Sequence, residues 1–228
     1  MPKNTLYIDI HTHNSQSEIP INTLQVTNLS AHEIPSILNS DQTYSMGIHP
    51  WHIEKTILAD ALSHMENLLK DNQIIAVGEA GLDRAIKTSF DTQQTYLIPQ
   101  VKLAQKYRKP VIFHCVRAYP DLIAIKKKLK PTIPLILHGF NGNQQIYNQL
   151  EPHGFFFSFG KILLNPNSKI HSIFAQIPQN RFFLETDEAE VSISEIYQSA
   201  AKIKGVGIGE IEKMVKRNFK DCFGKILE

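Results

Sequence analysis

The sequence predicts an α/β protein, a TIM-type (β/α) barrel formed by one domain over residues 1–228 with an extra C-terminal helix. Three observations predict it. Short apolar runs alternate with longer amphipathic stretches, the pattern of buried strands joined by crossover helices. Side chains of metal-ligand type stand at, or just past, the ends of separate runs, and the C-terminal ends of parallel barrel strands converge on the face that holds the active site. A length of 228 residues is near the lower end for such a barrel and somewhat long for two independent cores.

The predicted strands are 6–10, 24–29, 44–48, 74–78, 111–113, 134–137, 155–159 and 181–184. Between them, 57–69 carries Leu58, Leu62, Met65 and Leu69 on one helical face, and 92–107 carries Leu97, Val101 and Ala104 on another. A short helix is predicted over 30–38, with Ser30 as cap, Glu33 three residues on, and Pro35 inside it. Two helices, 194–204 and 209–223, follow the last strand and are expected to pack outside the barrel. An open doubly wound sheet is the alternative, but it would gather its polar residues at one switch point rather than after strands one, four, five, six and eight.

The composition, 42% hydrophobic and 20% charged, is that of an ordinary globular protein. A formal charge of +2 and a pI near 8.4 lie short of the pI above about 9 of a dedicated nucleic-acid-binding domain. Lys126, Lys127, Lys128 and Lys130 read as a solvated helix face or as a patch that steers polyanions. Two cysteines, Cys115 and Cys222, are too few for a disulfide framework and fit a reducing compartment. No apolar stretch reaches the roughly 18 residues of a membrane span, and no signal-peptide core precedes the first run, so no membrane contact and a cytoplasmic location are expected.

A His-x-His pair on a strand turns both imidazoles to one side, which makes His11 and His13 a ready clamp for a cation, or else a pair of satisfied core histidines. Glu79 ends an otherwise apolar strand, where an unpaired carboxylate would be costly. A metal ion removes that cost, as would pairing with Arg84 or Arg117, and a carboxylate can bridge two ions. His114 and His138 terminate neighbouring strands and are candidates for a second ion. Asp187 is a candidate ligand and base toward a bound water. The donor set suits zinc or manganese, and its carboxylates permit magnesium. Two such ions lower the pKa of a bound water toward about 7 and stabilise charge on a carbonyl or phosphoryl oxygen, so hydrolysis is expected.

Six segments, in order, carry a family resemblance: Asp9-Ile10-His11-Thr12-His13, Gly47-Ile48-His49-Pro50, Gly78-Glu79-Ala80-Gly81-Leu82-Asp83, Phe113-His114-Cys115, His138-Gly139-Phe140-Asn141-Gly142 and Leu184-Glu185-Thr186-Asp187. With them the chain resembles the TatD-like family of metal-dependent deoxyribonucleases, within the amidohydrolase-type barrel enzymes. The resemblance implies two divalent ions (Mg, Mn or Zn). His11, His13, Glu79 and Asp187 would hold one, and Glu79, His114 and His138 the other. It further implies that Asp187 and Glu79 are catalytic and that His49 touches substrate, the other reading of His49 being a turn histidine before Pro50. The implied activity is cleavage of phosphodiester bonds in DNA by a metal-activated water, or deacylation of mischarged tRNA.

Two departures from the family pattern bear on the substrate. Where the family usually places Arg-Asp-Ala after the fifth-strand histidine, this chain has Cys115-Val116-Arg117-Ala118, its arginine shifted by one position. Where the family commonly continues from the final aspartate with Ala-Pro-Tyr-Leu, a proline-rich loop and an Arg-Asn pair, this chain runs Glu188-Ala189-Glu190-Val191-Ser192 toward a helix. The resulting acidic stretch, Glu185, Asp187, Glu188 and Glu190, would tend to repel a long polyanion. Hydrolysis of DNA is therefore expected, with an ester or amide of a small molecule or of an aminoacyl-tRNA as the alternative substrate, and a non-catalytic binding barrel as the third reading.

Lys161 reads as a phosphate contact or a surface lysine, and Phe140 and Trp51 as base-stacking rings or as packing. Cys115 should lie away from its neighbour His114 as an inert buried thiol. Most of the remaining histidines, His32, His52, His64, His153 and His171, are expected to face solvent.

Overall fold

The computed structural model describes residues 6–14, 22–33 and 38–224. Its strands are β1 Tyr7–Thr12, β2 Thr23–Ser30, β3 Thr43–Gly47, β4 Ile74–Asp83, β5 Val111–Val116, β6 Leu135–Leu137, β7 Phe156–Phe159 and β8 Phe182–Leu184. They form one eight-stranded sheet in chain order, the strand order of a TIM-type (β/α) barrel. A parallel bridge between Thr12 and Asp187 joins the end of β1 to the residues after β8. The helices are α1 Leu58–Leu68, α2 Phe90–Tyr107, α3 Tyr119–Leu129, α4 Gln144–Leu150, α5 Ile170–Gln176, α6 Ile193–Lys204 and α7 Ile208–Phe223.

Each predicted strand is present, and β1, β4 and β5 run two or more residues past their expected ends. β4 continues to Asp83 and β5 to Val116, so Glu79 and His114 lie within strands rather than ending them. The residue types explain the extension. Gly81 pairs with His114, and a Cβ at Gly81 would meet the His114 carbonyl oxygen at 1.9 Å, so glycine lets the two strands stay in register past their apolar cores. The predicted helix over 30–38 falls partly on residues 34–37, which lie outside the described residues. Ser30 itself closes β2, and its hydroxyl bonds to the Nδ1 atoms of His32 and His52.

The chain divides into two compact units, residues 1–27 with 138–228, and residues 28–137. In the first unit, Phe140, Phe157, Phe159, Phe174 and Phe182 build a core of edge-to-face rings with centroids 4.8–5.9 Å apart. β1 receives help from α6: the buried Tyr197 hydroxyl accepts from the Ile8 N–H and donates to the Ile8 carbonyl, both at 3.0 Å. One phenol thus satisfies two main-chain groups. Tyr197→Phe keeps the ring and strands both groups, so it is expected to cost about 1–3 kcal/mol. Urea unfolding would register this as a lower midpoint at unchanged slope, and a shift within error would show that other groups satisfy Ile8.

In the second unit, all ten residues of β4 are buried. Two glutamines of α2 finish the strand ends. Gln100 accepts from the Ile48 N–H at 2.7 Å and donates to the Ile48 carbonyl at 3.3 Å. Gln93 does the same for Asp83, at 2.7 and 2.9 Å. Buried amides at these helix positions, invisible to an apolar-periodicity rule, hold the backbone beside His49 and at Asp83.

Candidate metal centre

In the first unit, β1 delivers the fully buried His11 and, just past its end, His13, with ring centroids 5.0 Å apart. His138 follows β6, and its ring lies 4.5 Å from that of His11. Asp187 sits beyond β8 in the left-handed region at φ 55°, held by its N–H to the His11 carbonyl at 2.9 Å and by its carbonyl from the His13 N–H at 3.1 Å. Its Oδ1 is 3.8 Å from His11 Nε2 and 3.7 Å from His13 Nε2, too far for hydrogen bonds. Two ligands about 2.0–2.2 Å from a common zinc lie at most about 4.4 Å apart, and these distances satisfy that bound. Ligand atoms of His11, His138 and Asp187 all fall within 4.8 Å of one another. The donor chemistry and the spacing both fit a divalent cation.

Two buried carboxylates lie behind this group; from sequence Glu185 stands only in an acidic stretch and Asp9 only in a motif, with no supporting role given to either. Glu185, fully buried, accepts from the Gly139 N–H at 2.6 Å and lies 3.5 Å from His138 Nδ1. Burial pushes its pKa up, but attraction to His138 and then His11 outweighs this and holds it below the usual range. Asp9 accepts from the Thr186 N–H at 3.0 Å and hydroxyl at 2.6 Å, and burial pushes its pKa up to about 7. Glu185 therefore places its charge on the Nδ1 side of His138. Glu185→Gln should lower metal affinity about 10- to 100-fold with the fold retained, measured by competition with a chromophoric chelator; unchanged affinity would reduce Glu185 to a packing role.

In the second unit, Glu79 Oε1 is 2.8 Å from His114 Nδ1 and 3.1 Å from His49 Nε2, and these three residues form another candidate ligand group. The Glu79 N–H donates to Asn28 Oδ1 at 2.5 Å. Arg84 pairs instead with Asp121 at 2.9 Å. His49 Nδ1 accepts the Trp51 N–H at 3.1 Å, which leaves the proton of the neutral ring on Nε2, facing Glu79. His49 thus donates to Glu79, while Glu79 and His114 keep the chemistry of ligands. His114 Nε2 faces Asp83 Oδ2 at 3.2 Å. Burial raises the Asp83 pKa, but bonds from the Trp51 indole and the Ala85 N–H, both at 2.7 Å, and from His114 hold it below the usual range.

Within each unit the candidate ligands fall into one group. His138 lies beside His11 and Asp187 in the first unit, and His49 joins Glu79 and His114 in the second. Of the acidic stretch, Glu185 is buried, and Glu188 and Glu190 are exposed. Phe140 is packed in the core, whereas Trp51 is 56% exposed. Lys161 is exposed after β7. Burial pushes the Cys115 thiol up to about 12, as an inert cysteine requires. The expectation that most of these histidines face solvent is corrected. Only His64 of the five is exposed and the others are half-buried; the His32 and His52 ring centroids lie 4.2 Å apart, and His171 Nε2 bonds to the Leu163 carbonyl at 2.9 Å. Polar contacts between segments, which no periodicity encodes, hold His32, His52 and His171 against the protein.

Residues 13–224 match the family described as TatD related DNase. The uncharacterized metal-dependent hydrolase YjjV of Escherichia coli (strain K12) is 30% identical over 154 residues, 66% of this chain and 59% of that protein. An uncharacterized metal-dependent hydrolase of Buchnera aphidicola is 31% identical over 174 residues, 72% of this chain and 62% of that protein. The matched stretches therefore span about three fifths of these curated relatives. The 3'-5' ssDNA/RNA exonuclease TatD of Pantoea ananatis is 23% identical over 222 residues, 87% of this chain and 85% of that protein. The crystal structure of YjjV superimposes with a TM-score of 0.81 at 21% identity, covering 95% of this chain and 97% of that one. Among the described residues, no helix is long and apolar enough to cross a membrane.

Proposed function

Because the chain belongs to the TatD related DNase family, we propose that it is a single-domain, divalent-metal-dependent hydrolase that cleaves phosphodiester bonds in DNA. The observation that carries this reading is the convergence of His11, His138 and Asp187, with His13 alongside, at spacings a divalent ion can span. In this reading those four residues hold one ion, and Glu79 with His114 hold a second. Bound ions of this class polarise a phosphoryl oxygen and acidify a water.

The chain's own residues do the rest. Asp187 takes the proton of the attacking water through its carboxylate, which its backbone bonds hold toward His11 and His13. Glu185 sets its charge on the Nδ1 side of His138. His49, its Nδ1 turned to the backbone, directs its N–H at Glu79 and steadies that carboxylate. The exposed Glu188 and Glu190 favour, as a second reading, a smaller ester or amide substrate at the same residues.

The test is to strip the protein with a chelator, reload it with magnesium, manganese or zinc, and follow nucleotide release from labelled single-stranded DNA, with Glu79→Ala as control. Metal-dependent release, lost in the variant, is expected. Absence of release from protein that holds metal would sink the nuclease reading and turn the search to aminoacyl-tRNA and small esters.

A further inference from the structure

We propose that the indole of Trp51 is a stacking platform for an unpaired base at the end of a single-stranded nucleic acid, an inference that rests on the nuclease reading above. Among the described residues, Trp51 and Ile57 are the large hydrophobic side chains left exposed, at 56% and 71%. Ile57 precedes α1 and its hydrocarbon side chain has no polar atom to anchor, whereas Trp51 is held on two sides. Its indole N–H donates to Asp83 Oδ2 at 2.7 Å, and its backbone N–H donates to His49 Nδ1 at 3.1 Å. The ring stands edge-on to His49, with centroids 5.1 Å apart, and lies 6.0 Å from His114.

Preceded by Pro50 at the start of a 3-10 turn, with its polar edge bonded to a buried carboxylate, the indole is fixed before any ligand arrives. A fixed aromatic face binds at low entropic cost, which is the usual reason to leave one exposed beside reactive groups. The partner that suits a flat apolar face next to candidate phosphodiester chemistry has a flat ring joined to a phosphodiester, and that is a nucleotide of a nucleic acid. Inside a duplex both faces of a base are already stacked, so a strand is free to offer its base to the indole where it is unpaired. Charge points the same way. With a formal charge of only +2, phosphate contacts can supply little of the affinity, and stacking tolerates every base sequence.

Trp51 is the sole tryptophan of the chain, so its emission reports this contact directly. The zinc-loaded full-length protein is mixed in a stopped-flow instrument with a thymidine pentanucleotide or with an abasic pentamer of equal charge, and quenching is followed before turnover. In parallel, kcat/KM is measured for the native protein, Trp51→Ala and Trp51→Phe on both oligomers. Saturable quenching by the thymidine oligomer, about 5- to 150-fold tighter than by the abasic one, is expected. The matching preference in kcat/KM should collapse toward unity in Trp51→Ala and largely return in Trp51→Phe.

Equal quenching by both oligomers, or none, while DNA is still cleaved would overturn the stacking role and leave the nuclease reading standing. Base-dependent quenching without cleavage would support the platform and sink the nuclease reading. Neither quenching nor cleavage would overturn both.

Discussion

Replacing Asp187 by Asn is expected to lower kcat by about 10²- to 10⁴-fold, the range for loss of a positioned base, with the unfolding midpoint almost unchanged. Asparagine is the informative choice because of the backbone. Asp187 has φ 55°, a left-handed conformation that Asn and Asp adopt more readily than other side chains. The main-chain bonds to His11 and His13 and the bond from the Thr12 hydroxyl to the Asp187 carbonyl at 3.2 Å do not involve the carboxylate, so Asn should leave them intact. Alanine would add backbone strain and confuse the two effects. Steady-state kinetics of the metal-loaded variant, with circular dichroism for the fold, would decide; a variant keeping most of its turnover refutes the role of base.

Glu79→Ala is expected to abolish turnover and lower metal affinity by about 100-fold or more, since loss of even an outer partner of a metal ligand costs 10- to 100-fold. It should also destabilise the metal-free protein by about 1–3 kcal/mol, because the buried carboxylate accepts from the buried His49 ring and its removal takes that acceptor away. Glu79→Gln separates the two consequences. The amide fills the same volume and keeps an acceptor oxygen, so stability should largely return while metal binding stays weak. Equilibrium dialysis with zinc and chemical unfolding of both variants measure the two effects independently. Normal metal content in Glu79→Ala would remove Glu79 from the ligand set.

Much of this protein is legible in its sequence, and the reason is local. Buried parallel strands need unbroken apolar runs and amphipathic crossovers, so each strand is visible by its period and its flanks. The misplacements are local too. The predicted fourth strand stops at Gly78, yet a Cβ at Gly78 would meet the Ile112 carbonyl oxygen at 2.5 Å. Glycine is there to let β5 come close, and the strand runs on past Glu79. The Ser30 hydroxyl bonds to two histidines, one of them in a different segment of the chain.

What the sequence determined by itself was the strand order and the identity of the residues able to bind a cation, because both follow from period-two alternation and side-chain chemistry. Only the tertiary structure decided which of those residues meet. The partnership of His138 with His11 and Asp187, the proton of His49 directed at Glu79 by a backbone N–H, and the support of Glu185 and Asp83 depend on strand register and on side-chain partners far apart in the chain. The contrast between a buried Phe140 and an exposed Trp51 has the same origin, for aromatic residues carry no local signal of burial until their neighbours are in place.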